Sequence, residues 1–171
     1  MSERARRLFF ALWPSDELRQ QIEHETRNPA RLSGGRTIPA ANLHITLAFL
    51  GSVSEAKIED AKRSGNAAAV QPFELILGEL TWWERQQLLC LEPTEGAEAL
   101  QDLAGRLHTE LRARGFMVEL RPFRAHVTVA REVVRAHDFK LINQLRWQVN
   151  RLELVESRTL PSGSVYTVLP T

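Results

Sequence analysis

Two apolar stretches, Leu43–Leu50 and Ala125–Arg131, each read as a buried strand, and each carries the same three-residue pattern, His44-Ile45-Thr46 and His126-Val127-Thr128. Residues two apart on a strand project to one face about 6.6 Å apart, so each copy aims an imidazole and a hydroxyl at one place. Two such strands can grip one small anion, provided the fold turns them toward each other. Strict alternation puts Thr46 and Ala48 with His44, and Ile45, Leu47 and Phe49 on the opposite face. The small Ala48 and Ala130 then leave room over the motif face in both copies.

The elements around these strands repeat in order. Leu8–Trp13 reads as a first strand, and Ser15 or Asp16 caps a helix running to about Asn28, where Pro29 and Ser33-Gly34-Gly35 open a loop. After the first motif strand, stopped by Gly51, Ser54 caps a helix through about Ala69. Phe73–Leu80 and Gln87–Glu92 read as a hairpin whose tip, Trp82–Gln86, is aromatic. A helix follows from about Ala97 to Arg114, with Leu100, Leu103, Leu107 and Leu111 at helical spacing and Gly115 as its stop. Beyond the second motif strand the pattern predicts a short helical or irregular piece over Phe139–Leu145 and strands over Trp147–Val155 and Val165–Leu169. No linker divides the 171 residues, so residues 1–171 are expected to form a single α+β domain of two related, interleaved halves with a pseudo-twofold relation.

Composition excludes several classes. A net charge of +1 does not support nucleic-acid binding through overall charge, although Arg106, Arg112, Arg114, Arg121, Arg124, Arg131 and Arg135 outnumber Glu110, Glu119 and Glu132 around the second motif. Cys90 is the single cysteine, so no internal disulfide is possible and a reducing, cytoplasmic setting is expected; within Leu88-Leu89-Cys90-Leu91 it reads as a small buried hydrophobe. No apolar run is long enough to span a bilayer, and Arg4–Trp13 is too short in its apolar part for a signal peptide, so no membrane partner is expected, nor an obligate protein partner.

Paired imidazoles suit acid–base chemistry near neutral pH. On opposite sides of one phosphorus, one takes a proton from the attacking oxygen and the other gives one to the leaving oxygen, while the threonine hydroxyls stabilise the non-bridging oxygens. That chemistry needs no metal and no other cofactor. His-Glu-x-x-His, paired cysteines, Gly-x-Ser-x-Gly and Lys-x-Asp-Gly are all absent, which argues against metal-dependent, serine-dependent and ATP-dependent rivals. A lone histidine in an apolar strand is most often an interior residue. Two copies in matching strands outweigh that reading.

Three segments, Arg7–Pro14, Asn42–Gly51 and Phe123–Arg131, together resemble the two-histidine phosphoesterases, specifically the RNA 2′,3′-cyclic phosphodiesterase and 2′-5′ RNA ligase family. The resemblance covers nearly the whole chain. It implies a bilobal fold, two antiparallel sheets flanking a central cleft with helices outside. It further implies that His44 is the general acid protonating the departing 3′-oxygen, that His126 is the general base activating water, and that Thr46 and Thr128 hold the phosphate. RNA ends or nucleotides bearing a 2′,3′-cyclic phosphate would be opened to 2′-phosphomonoesters, and the same chemistry with an RNA 5′-hydroxyl in place of water would make a 2′-5′ linkage, reversibly and without ATP. The alternative is an RNA-binding or scaffolding module of the same fold without turnover. Ala125 stands where the family usually has proline, and Val129 where leucine is common.

Further substrate contacts are expected from Arg131, Arg36, Arg124 and Phe49, with Trp82, Trp83 and Tyr166 as other surfaces on which a base stacks. Arg131 falls, by strict alternation, on the face opposite His126, so the strand must end or twist there for it to reach the site. His24, His108 and His137 are assigned no role.

Overall fold

The computed structural model describes residues 4–119 and 121–170. Along the chain run β1 (Ala5–Leu12), α1 (Asp16–Leu32), β2 (Arg36–Thr37), a 3-10 turn (Ala40–Asn42), β3 (Ile45–Ser54), α2 (Glu55–Ala67), β4 (Phe73–Trp83), β5 (Leu88–Glu95), α3 (Ala97–Ala113), β6 (Val127–Arg131), β7 (Phe139–Val149), β8 (Glu153–Leu160) and β9 (Gly163–Val168). They make an α+β protein with two antiparallel sheets, in the orders β3-β1-β8-β9 and β2-β6-β5-β4-β7. The first motif strand, β3, therefore edges one sheet, and the second, β6, lies next to the edge of the other. α1 packs on the five-stranded sheet, whereas α2 and α3 pack together against β1 and β3 of the four-stranded one. Among the described residues no helix is long and apolar enough to cross a membrane.

Hydrophobic spacing sets which faces are buried. On α3, Leu100, Leu103, Leu107 and Leu111 recur at helical spacing and are essentially inaccessible. They join Leu8, Phe10 and Leu12 of β1 and Ile45 and Leu47 of β3 in one continuous core. Each such side chain contributes roughly 1.5–3 kcal/mol on burial. Gly65 sits inside α2 despite the helical cost of glycine. An added Cβ there would lie 2.7 Å from the ring of Phe10, so the close approach of helix and strand requires the bare backbone.

The structure departs from the sequence reading at four places. α1 continues through Pro29 to Leu32, because a proline near a helix end removes only its own donor, and Ser33 still closes the last turn through its N–H to Pro29 O (3.1 Å). β3 does not stop at Gly51 but runs to Ser54, the glycine taking a φ of +67° opposite Leu8. Phe139–Leu145 is strand, the outer part of β7, where pairing with β4 is irregular and leaves Phe139 and Ile142 exposed, so the alternating signal is blurred. Trp147–Val155 is two strands in different sheets, divided between Val149 and Glu153.

Candidate active site

Each motif is set by its strand and then by a bulge. In β3, Thr46 pairs with Ala11 and Ala48 with Phe10, leaving Leu47 as an extra residue. In β6, Thr128 pairs with Cys90 and Ala130 with Leu89, leaving Val129 extra. One inserted residue reverses the facing of the residues that follow it, up to the next irregularity. Ala48 and Ala130 consequently turn into the core, not over the motif face as strict alternation suggests. Phe49 and Arg131 turn the other way, onto the motif side. Phe49 lies opposite Phe9, ring centroids 6.1 Å apart, and is 61% exposed. The charge of Arg131 bears on both motif histidines. The same device thus corrects the sequence reading at both strands.

The carbonyls of the two extra residues accept hydrogen bonds from outside the bulged strand pairs. His108 of α3 donates from Nε2 to Leu47 O (2.9 Å), and Ile38, after β2, donates its N–H to Val129 O (2.9 Å). His108, given no role from sequence, closes the first motif's backbone. A histidine on a leucine-rich helix face carries no sequence mark of that job.

Both imidazoles are half-buried and held alike. His44 Nδ1 donates to Asn42 O (2.7 Å) and His126 Nδ1 to Arg124 O (2.8 Å). A carbonyl can only accept, so the proton stays on Nδ1 and Nε2 is left as the acceptor in the neutral ring. The Thr46 hydroxyl meets His44 Nε2 at 3.0 Å. Burial lowers both pKa values, that of His44 to about 4, with further lowering by Arg131, Arg19 and His126. For His126 the first cause is again burial, and the nearby carboxylate of Glu92 pulls the other way. β3 and β6 approach each other, and the charge of His126 is among those that lower the His44 pKa.

Each ring also rests on a tryptophan backed by an arginine. Trp13 stacks on His44 with centroids 5.6 Å apart and planes at 26°, and the Arg19 guanidinium lies 4.5 Å from the Trp13 ring centroid. Trp83 lies 4.3 Å from His126 at 48°, and the Arg124 guanidinium sits 4.5 Å from the Trp83 centroid. Phe9 (5.1 Å) and Tyr166 (5.2 Å, edge-on) complete the wall around His44. Trp83 is thereby committed to a histidine, and its neighbour Trp82 packs on the core. Trp13 and Arg19 had no motif to mark them, because their role depends on the turn between β1 and α1.

The arginines named from sequence are placed differently from one another. Arg124 forms a fork with Glu92, Nε at 2.9 Å and Nη2 at 2.7 Å. Arg36 stands in register with Arg131 across β2 and β6 and lies 3.7 Å from Glu132. Cys90 is fully buried behind Thr128, and burial pushes its thiol up to about 12, which suits packing and not nucleophilic attack. Among the described residues no group of three His, Cys, Asp or Glu side chains is placed to hold a metal ion. A surface groove of about 700 Å³ between α1 and β7, lined by Ser15, His24, Asn143 and Arg146 among others, contains none of the motif residues.

Two antiparallel sheets that bring paired His-x-Thr strands to one place define a two-histidine phosphoesterase. Residues 14–160 match the model of the 2′-5′ RNA ligase superfamily, and the chain belongs to that family. It is 34% identical to the RNA 2′,3′-cyclic phosphodiesterase of Escherichia coli (strain K12), over 80% of this chain and 77% of that one. With the enzyme of the same name from Thermus thermophilus it shares 30% identity over 95% and 87% of the two chains. The crystal structure of E. coli LigT complexed with 3′-AMP superposes with a TM-score of 0.88 at 29% identity, covering 98% of this chain and 97% of that one.

Proposed function

We propose that the protein is an RNA 2′,3′-cyclic phosphodiesterase that opens 2′,3′-cyclic phosphate ends to 2′-phosphomonoesters. The observation that carries this reading is the matched pair of imidazoles, each fixed by an Nδ1 hydrogen bond so that its Nε2 is the atom left for acid–base work, on His44 with the Thr46 hydroxyl beside it. RNA 2′,3′-cyclic phosphodiesterase relatives along most of the chain support the same substrate class.

In the reaction, water attacks phosphorus as His126 Nε2 accepts its proton, the bond to the 3′-oxygen breaks, and His44 Nε2 delivers a proton to that oxygen. Thr46, Thr128 and Arg131 meet the non-bridging oxygens as charge builds on them. Burial keeps both rings neutral without substrate; the phosphodiester anion then favours entry of one proton, shared by a coupled pair. An RNA 5′-hydroxyl attacking in place of water, with the 3′-oxygen leaving as before, gives 2′-5′ joining driven by the cyclic phosphate itself. Phe49, on the exposed rim, offers a face for a terminal base. The single thiol suits a reducing cytoplasm.

The test is to incubate the purified protein with a cyclic-ended RNA oligonucleotide and with 2′,3′-cyclic mononucleotides, with and without a strong chelator. The expected product is the 2′-phosphomonoester at an unchanged rate in chelator. A 3′-phosphomonoester would overturn the assignment of the departing oxygen, and binding without turnover would leave an RNA-binding module.

A further inference from the structure

We propose that Glu92 is a positioning residue that sets His126 apart from His44, by clamping Arg124 and Trp83 into a charge-neutral shelf beneath the His126 imidazole. The inference rests on the acid–base reading of the pair and adds which residue divides the labour.

Glu92 of β5 accepts three hydrogen bonds: two from the Arg124 fork, and one from Trp83 Nε1 at 3.0 Å. Its side chain is only 13% exposed whereas that of Arg124 is 58% exposed, so the carboxylate is held inward and the guanidinium covers it from the solvent side. The clamp joins β4, β5 and the segment entering β6. It fixes the indole on which the His126 ring rests and the residue whose carbonyl takes the Nδ1 proton.

The shelf beneath His44 has the same outline and a different charge. Arg19 is 6% exposed and donates to two backbone carbonyls, Pro14 O (2.7 Å) and Leu43 O (3.3 Å). The carboxylate near it, Asp16 at 3.7 Å, is 98% exposed and screened by solvent. Cationic arginine therefore backs His44, and a Glu92–Arg124 ion pair with its carboxylate turned inward backs His126.

The charges facing His126 are Glu92 from β5, Arg124 from the segment before β6, Arg131 from β6, and His44 from the opposite motif. Glu92 alone is negative. Removing it should make His126 harder to protonate, and removing Arg124 should make it easier. A purely structural role for the clamp would not give opposite signs.

The experiment uses the full chain and follows the His126 ring proton by NMR through a pH titration. Glu92→Gln keeps an oxygen that accepts a hydrogen bond, and Arg124→Met keeps a flat contact on the indole. Expected is a His126 midpoint lower by about half a pH unit or more in Glu92→Gln and higher by a similar amount in Arg124→Met, with His44 moving less in both. In the kcat/KM profile of Glu92→Gln, one limb alone should move down with it: the acid limb if His126 is the base, the alkaline limb if it is the acid. No movement of the His126 midpoint, or the same direction in both variants, overturns the inference. The NMR result stands whether or not the protein turns over a cyclic phosphate, so failure of the functional reading is seen separately, as titration shifts without hydrolysis.

Discussion

Around His44 the chain places Phe9, Trp13 and Tyr166; around His126 it places Trp83, Arg124 and Glu92. The first surrounding is aromatic with a cation behind it, the second an indole held within an ion pair. Yet both histidines give their Nδ1 proton to the carbonyl two residues before, and both strands bulge directly after the motif threonine. What is repeated is backbone geometry, which aims the reactive nitrogens. What differs is the side-chain charge around each ring, added to the burial that lowers the proton affinity of both. Symmetry of shape thus coexists with a difference in surrounding charge.

The largest effects should fall equally on the two halves. His44→Ala and His126→Ala are each expected to lower kcat by about 10²–10⁴-fold with the far-ultraviolet circular dichroism unchanged. Activity retained in either one would break the pairing. Thr46→Val and Thr128→Val should each cost about 10²-fold, measured as kcat at saturating cyclic nucleotide. A loss confined to KM would mean that the hydroxyls bind the ground state only.

Smaller changes should sharpen the contrast. Trp13→Leu and Trp83→Leu are expected to reduce kcat by about tenfold, since each lets an imidazole drift from its line of attack, and Phe at either position should restore most of it. His108→Leu leaves Leu47 O without its donor, so the urea midpoint should drop by the equivalent of about 1 kcal/mol, with little change at His126. The remaining contrast is a pH dependence of stability. The ordinary histidine value is 6.5 and that of folded His44 is about 4, so between these the unfolded chain binds a proton that the folded one refuses. Stability is full above about pH 6.5 and falls as the pH drops toward 4; His44→Gln should flatten that slope in urea titrations.

The two motif strands, the helices and the α+β class were legible in the sequence because each rests on local periodicity. The facing of residues beyond each threonine was not, because a bulge is set by the partner strand's register and leaves no composition signal. Phe49 and Arg131 were therefore named as candidates while strict alternation turned them away from the motif face. Glu92 stayed hidden for another reason. Its meaning comes from three groups on β4 and before β6, brought together only by the sheet. β7 was missed where its edge pairing is irregular.

The donors that close the two bulges come from crossed origins. His108, encoded between β5 and β6, serves the strand that precedes α2, and Ile38, encoded before β3, serves the strand that follows α3. A chain severed between α2 and β4 would yield two pieces, each with a motif and neither with the group that finishes it. Each motif strand thus takes one backbone hydrogen bond from the part of the chain that carries the other motif.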